Sequence, residues 1–387
     1  MFAPMVVALV PDRLQGQPHI NAAGMKIRQS DAVGLAVRLH HRALALQEKA
    51  QLQSAKSSCS RALRILIRTS GRNHPDVANG SQTLAAIYEG LGNHTQAEKL
   101  YLESLKILRT IREDSLELEM LRINGITGLA GVLVTQARYM QAEQQYKLAL
   151  SNAEKSFGAN SIEVSGVLNG LGVLYKYTGQ FVPSNRCYRR ALSIAQRKSA
   201  RDHALLATLY HNLGGLEHAR GRYARGEPFA RKSVVLRQKV LGANHPDVAA
   251  DVAALAAILE GLNKHEEAEH LYRRALAIFR RIYGPQHYEV AVNLSNLASL
   301  YQARGSTKRA RKLYLRSLAI KKECLGSLHP DVAITLNNLA SLEQSEGNVA
   351  TAKARYGQAL RIFKKALGDD HPSTQTCHAN YANLVRK

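Results

Sequence analysis

An eight-residue segment recurs along this chain at a fixed spacing of 42 residues. GANHPDVA at 242–249 returns as GPQHYEVA at 284–291, GSLHPDVA at 326–333 and GDDHPSTQ at 368–375. Related segments stand upstream at 71–78 (GRNHPDVA) and 158–165 (GANSIEVS), separated by two periods plus three residues. A second marker keeps step with the first. A small residue followed by an aliphatic one appears at Ala62-Leu63, Ser104-Leu105, Ala149-Leu150, Ala191-Leu192, Ser233-Val234, Ala275-Leu276, Ser317-Leu318 and Ala359-Leu360. A period of this length, carried by two markers in register, means one supersecondary unit stacked on itself.

Each unit reads as two helices. Between Pro246 and Leu262, the apolar residues Val252, Leu255, Ala256 and Leu259 fall at i, i+3, i+4 and i+7, one face of an α-helix. His245-Pro246-Asp247 starts it, because proline fits a first turn where its missing N–H has no partner. An aspartate there also faces the positive end of the helix dipole. The second helix carries Ala268, Leu271, Tyr272, Ala275, Leu276 and Phe279 at helical spacing. Glycines such as Gly242 and Gly326 close second helices, and Gly179 and Gly347 close first helices, as expected of left-handed caps. Pro183 and Pro228 are placed in first turns of second helices. Strand-type alternation is absent. A lone hairpin cannot bury its apolar faces, so the expected fold is all-α: a right-handed superhelical solenoid of stacked antiparallel helix pairs. Counting predicts about eight pairs and a terminal helix over 31–387, after an irregular tail at 1–30.

The repeated unit resembles the tetratricopeptide repeat in its 42-residue kinesin light chain form. The resemblance rests on Ala268, Leu271, Tyr272, Arg274, Ala275, Leu276 and Ile278, then Gly326 to Ala333 and Leu336 to Leu342. It implies a scaffold for peptides or proteins, with first helices lining a concave groove. It also implies cargo adaptation in a kinesin-like transport complex as an alternative role. The repeats begin near residue 31, leaving no room before them for the heptad coiled coil of kinesin light chains.

The groove face follows from the helical wheel alone. Opposite the core side lie Ala250, Ala254, Ala257 and Gly261, and the second of these positions reads Thr83, Gly128, Gly170, Asn212, Asn296, Asn338 and Asn380 in the other units. Small residues would let a guest backbone approach. An Asn side chain offers a donor and an acceptor, matching a guest's C=O and N–H. The candidate peptide-binding residues are therefore Asn212, Asn296, Asn338 and Asn380, with Asn169 and Asn337 one position earlier at the groove edge. The competing reading is that these side chains brace neighbouring helices.

Charge lies elsewhere on the units. Lys and Arg number 53 against 30 Asp and Glu, a formal net charge of +23. Rows on second helices, including Arg189, Arg190, Arg231, Lys232, Arg273, Arg274 and Arg316, and others near their C-termini, such as Lys239, Lys321, Lys322, Lys364 and Lys365, place it on the convex side. An acidic protein partner, or nucleic acid held electrostatically, is the alternative this charge raises. The tyrosines occupy core positions, which argues against base stacking.

Catalysis finds no support. The histidines of the repeat (His74, His245, His287, His329 and His371) are spread along the solenoid and read as helix-start residues, not as a metal site. HExxH, phosphate-loop and Gly-x-Ser-x-Gly signatures are missing, so no enzyme activity, cofactor or metal is expected. The four cysteines are far apart with no CxxC pair, which fits a reducing, cytoplasmic setting. Met1–Leu9 lacks the basic start of a signal peptide, and no run of 18 uncharged apolar residues predicts a membrane span.

Overall fold

The computed structural model describes residues 27–113, 115–198 and 203–385. Among the described residues there are seventeen α-helices and no strand. They come as antiparallel hairpins: α1 (Ile27–Glu48) with α2 (Leu52–Ser70), α3 (Pro75–Gly90) with α4 (His94–Thr110), α5 (Leu116–Thr135) with α6 (Tyr139–Phe157), and α7 (Ile162–Tyr177) with α8 (Phe181–Lys198). The series continues with α9 (His203–Ala219) and α10 (Tyr223–Leu241), α11 (Pro246–Gly261) and α12 (His265–Tyr283), α13 (Tyr288–Ala303) and α14 (Thr307–Leu325), and α15 (Pro330–Ser345) and α16 (Val349–Leu367). The ninth first helix, α17 (Pro372–Val385), packs on α16 and α15 and ends the stack. Each first helix also touches the first helix of the next hairpin, so the units form one continuous solenoid. The first helix begins at Ile27, inside the stretch read as an irregular tail, whose residues 1–26 lie outside the described residues.

Burial explains the two periodic markers. The small residue of the second marker is inaccessible in every copy, from Ala62 through Ser104, Ser233 and Ser317 to Ala359. A larger side chain there would force the hairpin apart. Nearby, Tyr101, Tyr146, Tyr188, Tyr272, Tyr314 and Tyr356 are buried rings. A buried tyrosine needs a partner for its hydroxyl. Tyr101 and Tyr272 donate to Glu89 and Glu260 at 2.7 and 2.9 Å, and Tyr314 and Tyr356 to Gln302 and Gln344 at 3.2 and 3.0 Å. Each of these four tyrosines thus ties a second helix to the far end of its own first helix.

Two local details differ from the sequence expectation. Pro228 stands inside α10, past its first turn, because that helix already starts at Tyr223. There α10 lies close against α9: a Cβ added to Gly226 would sit 3.2 Å from the Gly214 carbonyl oxygen. Also, α5 is 20 residues long and apolar enough to cross a membrane. Its apolar character is that of a core helix, since it packs against α3, α4, α6 and α7 and is largely buried.

The periodic histidines do two jobs at once. In His74, His245, His287, His329 and His371, Nδ1 accepts the N–H of the residue two positions on, capping the first helix. An accepting Nδ1 puts the ring proton on Nε2. That nitrogen then donates across the superhelix: His245 to the Glu48 carbonyl at 2.8 Å, His329 to Thr135 at 2.9 Å and His371 to Tyr177 at 2.7 Å. His287 stands beside the Gly90 carbonyl in the same way, outside good hydrogen-bond geometry. His245, His287, His329 and His371 therefore each reach the C-terminal end of the first helix five units earlier. One superhelical turn takes five hairpins, and the second turn rests on the first.

Candidate functional site

This winding encloses a cavity of about 2890 Å³ along the superhelix axis. One wall comes from the inner faces of α1, α3, α5, α7 and α9, and the other from the first turns of α11, α13 and α15 arriving a turn later. The wheel-derived free face supplies Asn79, Thr83 and Ala86 from α3, Asn124 and Gly128 from α5, and Gly166, Gly170 and Val173 from α7. Not all of that smallness serves a guest. A Cβ on Gly128 would lie 2.4 Å from the Tyr101 ring, and one on Gly170 2.3 Å from Tyr146. These glycines seat the tyrosine of the preceding unit.

The six predicted asparagines do not form one uninterrupted row. Of the six, Asn169 alone lines the channel, and it accepts a hydrogen bond from Asn212 Nδ2 at 2.8 Å. Asn212 is buried between α7 and α9. Asn380 donates to Asn337 at 3.3 Å, joining α17 to α15. Asn296 and Asn338 are half-buried. So two neighbouring first-helix pairs are tied by Asn–Asn bonds.

The strongest character of the channel was missed by the sequence reading. Nine carboxylates line it, against Arg237 as the single Lys or Arg among the described lining residues. Six of them (Asp76, Glu117, Glu163, Asp247, Glu289 and Asp331) are the acid in the first turn of a first helix. That acid was read as a helix-dipole partner only; its recurrence at the start of first helices was the available signal. Burial pushes Glu89 up to about 8 against the opposing Tyr101 hydrogen bond. Burial, then the charges of Asp247 and Asp331, push Glu289 up to about 7. Burial also works to raise Asp331, but His329, Lys321 and the Tyr288 hydroxyl together hold it below its ordinary value.

Arg237 belongs to a buried network that joins three helices. Its Nε donates to Asp251 Oδ2 at 2.9 Å and its Nη1 to Thr208 Oγ1 at 3.1 Å. His211 Nδ1 lies 2.6 Å from Asp251 Oδ1. Burial tends to raise Asp251, yet Arg237 and His211 hold it low and ionised. Arg237 is 1% exposed, and its Nη2 is buried with no hydrogen-bond partner among the described residues. Two units on, Lys321 was assigned to the convex basic row. It is instead buried, with Nζ 3.1 Å from Thr335 Oγ1. The other convex cations are mainly exposed, several paired with acids, as Arg231 is with Glu227 and Glu267.

The tetratricopeptide repeat profile matches residues 35–110, 119–197, 205–280, 248–323 and 331–387. No curated protein sequence matches the chain. Among solved structures, BtubC (BKLC) from P. vanneervenii is 26% identical over 67% of this chain and 95% of its own, with a TM-score of 0.43. A Rap protein complexed with Competence and Sporulation Factor covers 91% of this chain and 98% of its own at 14% identity, with a TM-score of 0.59. The Rap conjugation gene regulator of plasmid pLS20, in complex with a peptide, covers 88% and 99% at 17% identity, again with a TM-score of 0.59.

Proposed function

Because the chain belongs to the tetratricopeptide repeat family, we propose that it is a non-enzymatic scaffold whose channel holds an extended peptide or a segment of a partner protein. The observation that carries this reading is the axial cavity walled by first helices, with Asn79, Thr83, Asn124 and Asn169 on its surface. Amide and hydroxyl side chains of this kind pair with the C=O and N–H groups of a guest backbone, whatever its side chains. Asn296 and Asn338 extend the same face toward the C-terminal units. The Rap structures, similar in fold, are complexes with a factor and with a peptide, which agrees with this use of the solenoid. The reading places the protein in a reducing compartment such as the cytoplasm, in keeping with four unpaired cysteines.

The test is selection from a displayed random-peptide library, followed by fluorescence anisotropy of the selected peptides. Ala250→Trp puts an indole into the channel from α11. Affinity should fall at least about tenfold, equivalent to about 1.4 kcal/mol, with unchanged melting. Equal affinity for parent and variant places the peptide elsewhere.

A second reading concerns the outer face, where Lys232, Lys239, Lys364 and Lys365 are exposed. It makes the protein an electrostatic binder of nucleic acid or of an acidic surface. Mobility shifts that vanish steeply with salt, and that Ala250→Trp leaves untouched, would favour it.

A further inference from the structure

A chain of formal net charge +23 encloses a channel of the opposite sign. We propose that the segment held in this channel is basic, carrying Lys or Arg side chains toward the carboxylates of Asp247, Glu289 and Asp331 while its backbone accepts a hydrogen bond from Arg237 Nη2. This rests on the peptide-binding reading and specifies its ligand.

The acids alone would not decide the guest. Among the described residues no group of three or more His, Cys, Asp or Glu side chains is arranged to hold a metal ion. A nucleic acid brings phosphates to a wall already rich in negative charge. A small polyamine satisfies the carboxylates but offers nothing to Arg237. That guanidinium is neutralised by Asp251, so it does not repel a cation strongly, and its Nη2 is a buried donor in want of an acceptor. A buried donor left unmade costs on the order of 1–3 kcal/mol, more when charged. A peptide supplies both halves: cationic side chains and carbonyl oxygens.

The spacing also fits. Asp247, Glu289 and Asp331 stand at the same position of three successive units, 42 residues apart. First helices in contact have axes about 8–10 Å apart. Three residues of an extended, polyproline-like segment advance about 9 Å and return to the same face. A Lys or Arg at every third position therefore meets one acid per unit. Burial and mutual repulsion leave Glu289 raised to about 7, and the charge of an incoming cation offsets both.

The experiment is fluorescence anisotropy with labelled peptides of repeated Lys-Ala-Ala, Gln-Ala-Ala and Glu-Ala-Ala at equal length, with spermine as competitor. The full chain is compared with the triple variant Asp247→Asn, Glu289→Gln, Asp331→Asn and with Arg237→Lys, which keeps the charge beside Asp251 and removes Nη2. The lysine peptide should bind at least about tenfold tighter than the glutamine peptide, the triple variant should lose on the order of tenfold, and Arg237→Lys should weaken the peptide but not spermine. Melting curves establish that both variants fold. Equal binding of the lysine and glutamine peptides, sensitive to Ala250→Trp, overturns the basic ligand and leaves the peptide channel standing. Lysine-peptide binding that all the variants leave unchanged overturns it too, since the peptide then sits on another surface. Failure of every peptide to bind removes both readings.

Discussion

Replacing His245, His329 and His371 together by Asn separates the two jobs of the periodic histidine. The Asn oxygen still accepts the N–H in the first turn, so the helix cap is kept. The shorter side chain cannot reach the carbonyls of Glu48, Thr135 and Tyr177, so three inter-turn bonds of 2.7 to 2.9 Å are lost. At about 0.5–1.5 kcal/mol each, the loss is about 1.5–4.5 kcal/mol. It falls on the hydrogen bonds that join successive turns among the described residues, so the turns should separate while each hairpin stays helical. Small-angle X-ray scattering should show a larger radius of gyration with unchanged far-ultraviolet dichroism. His74→Asn is the control, since His74 caps α3 and makes no hydrogen bond to another turn among the described residues. Acid should destabilise through the other job, since the added proton falls on the accepting Nδ1 and charges a buried ring. Burial holds His287 at about 4, and burial also lowers His371 against the raising effect of the Tyr177 carbonyl. The folded state thus takes up protons less readily than the unfolded one. The contribution is complete above the unfolded value near 6.5 and is lost as pH falls through the window down to about 4, amounting to up to about 3 kcal/mol for His287. Identical scattering and melting of the triple variant and His74→Asn would refute the clasp.

Further outcomes follow from the same contacts. Gly179→Ala should lower the melting temperature more than Gly347→Ala. Both glycines have positive φ, at 74° and 80°, but only at Gly179 would the new Cβ meet Pro372, 2.5 Å away across the turn; equal losses, each of about 1–2 kcal/mol, would show that strain alone decides. Arg237→Met leaves the buried Asp251 carboxylate with His211 but without its guanidinium partner, so it should cost about 3–5 kcal/mol in urea unfolding, and adding Asp251→Ala should recover part of it. Deleting 245–286 removes one whole unit and brings His287 opposite Glu48, so a folded, shorter solenoid is expected. Deleting 245–265 fuses unlike helices and should not fold; equal melting of the two would contradict the register. Asn212→Ala should destabilise by about 1–2 kcal/mol, because it leaves Asn169 without its buried donor. Unchanged stability with weaker peptide binding would instead assign Asn212 to the ligand.

Which parts were legible follows from what a period can carry. Two markers in register are enough to fix hairpins, neighbours and count, since each unit is repeated and touches mainly the next. The clasp is different in kind. His245 and Glu48 are 197 residues apart, and whether they meet depends on small rotations summed over five units. Half of the histidine, the capping Nδ1, was readable from His-Pro-Asp; the other half was not. The wheel placed Asn212 on a free face because it treats one helix at a time, whereas α7 packs at that position and supplies Asn169. The buried cations were readable by another route. Leu66, Leu108, Ala153, Ala195, Arg237, Phe279, Lys321 and Phe363 form one column of the repeat, and every member is buried. A cation in a column otherwise aliphatic or aromatic must be buried with it, so the next step is to search the facing helix for its partner. Asp251 and Thr335, 14 residues after Arg237 and Lys321, are those partners.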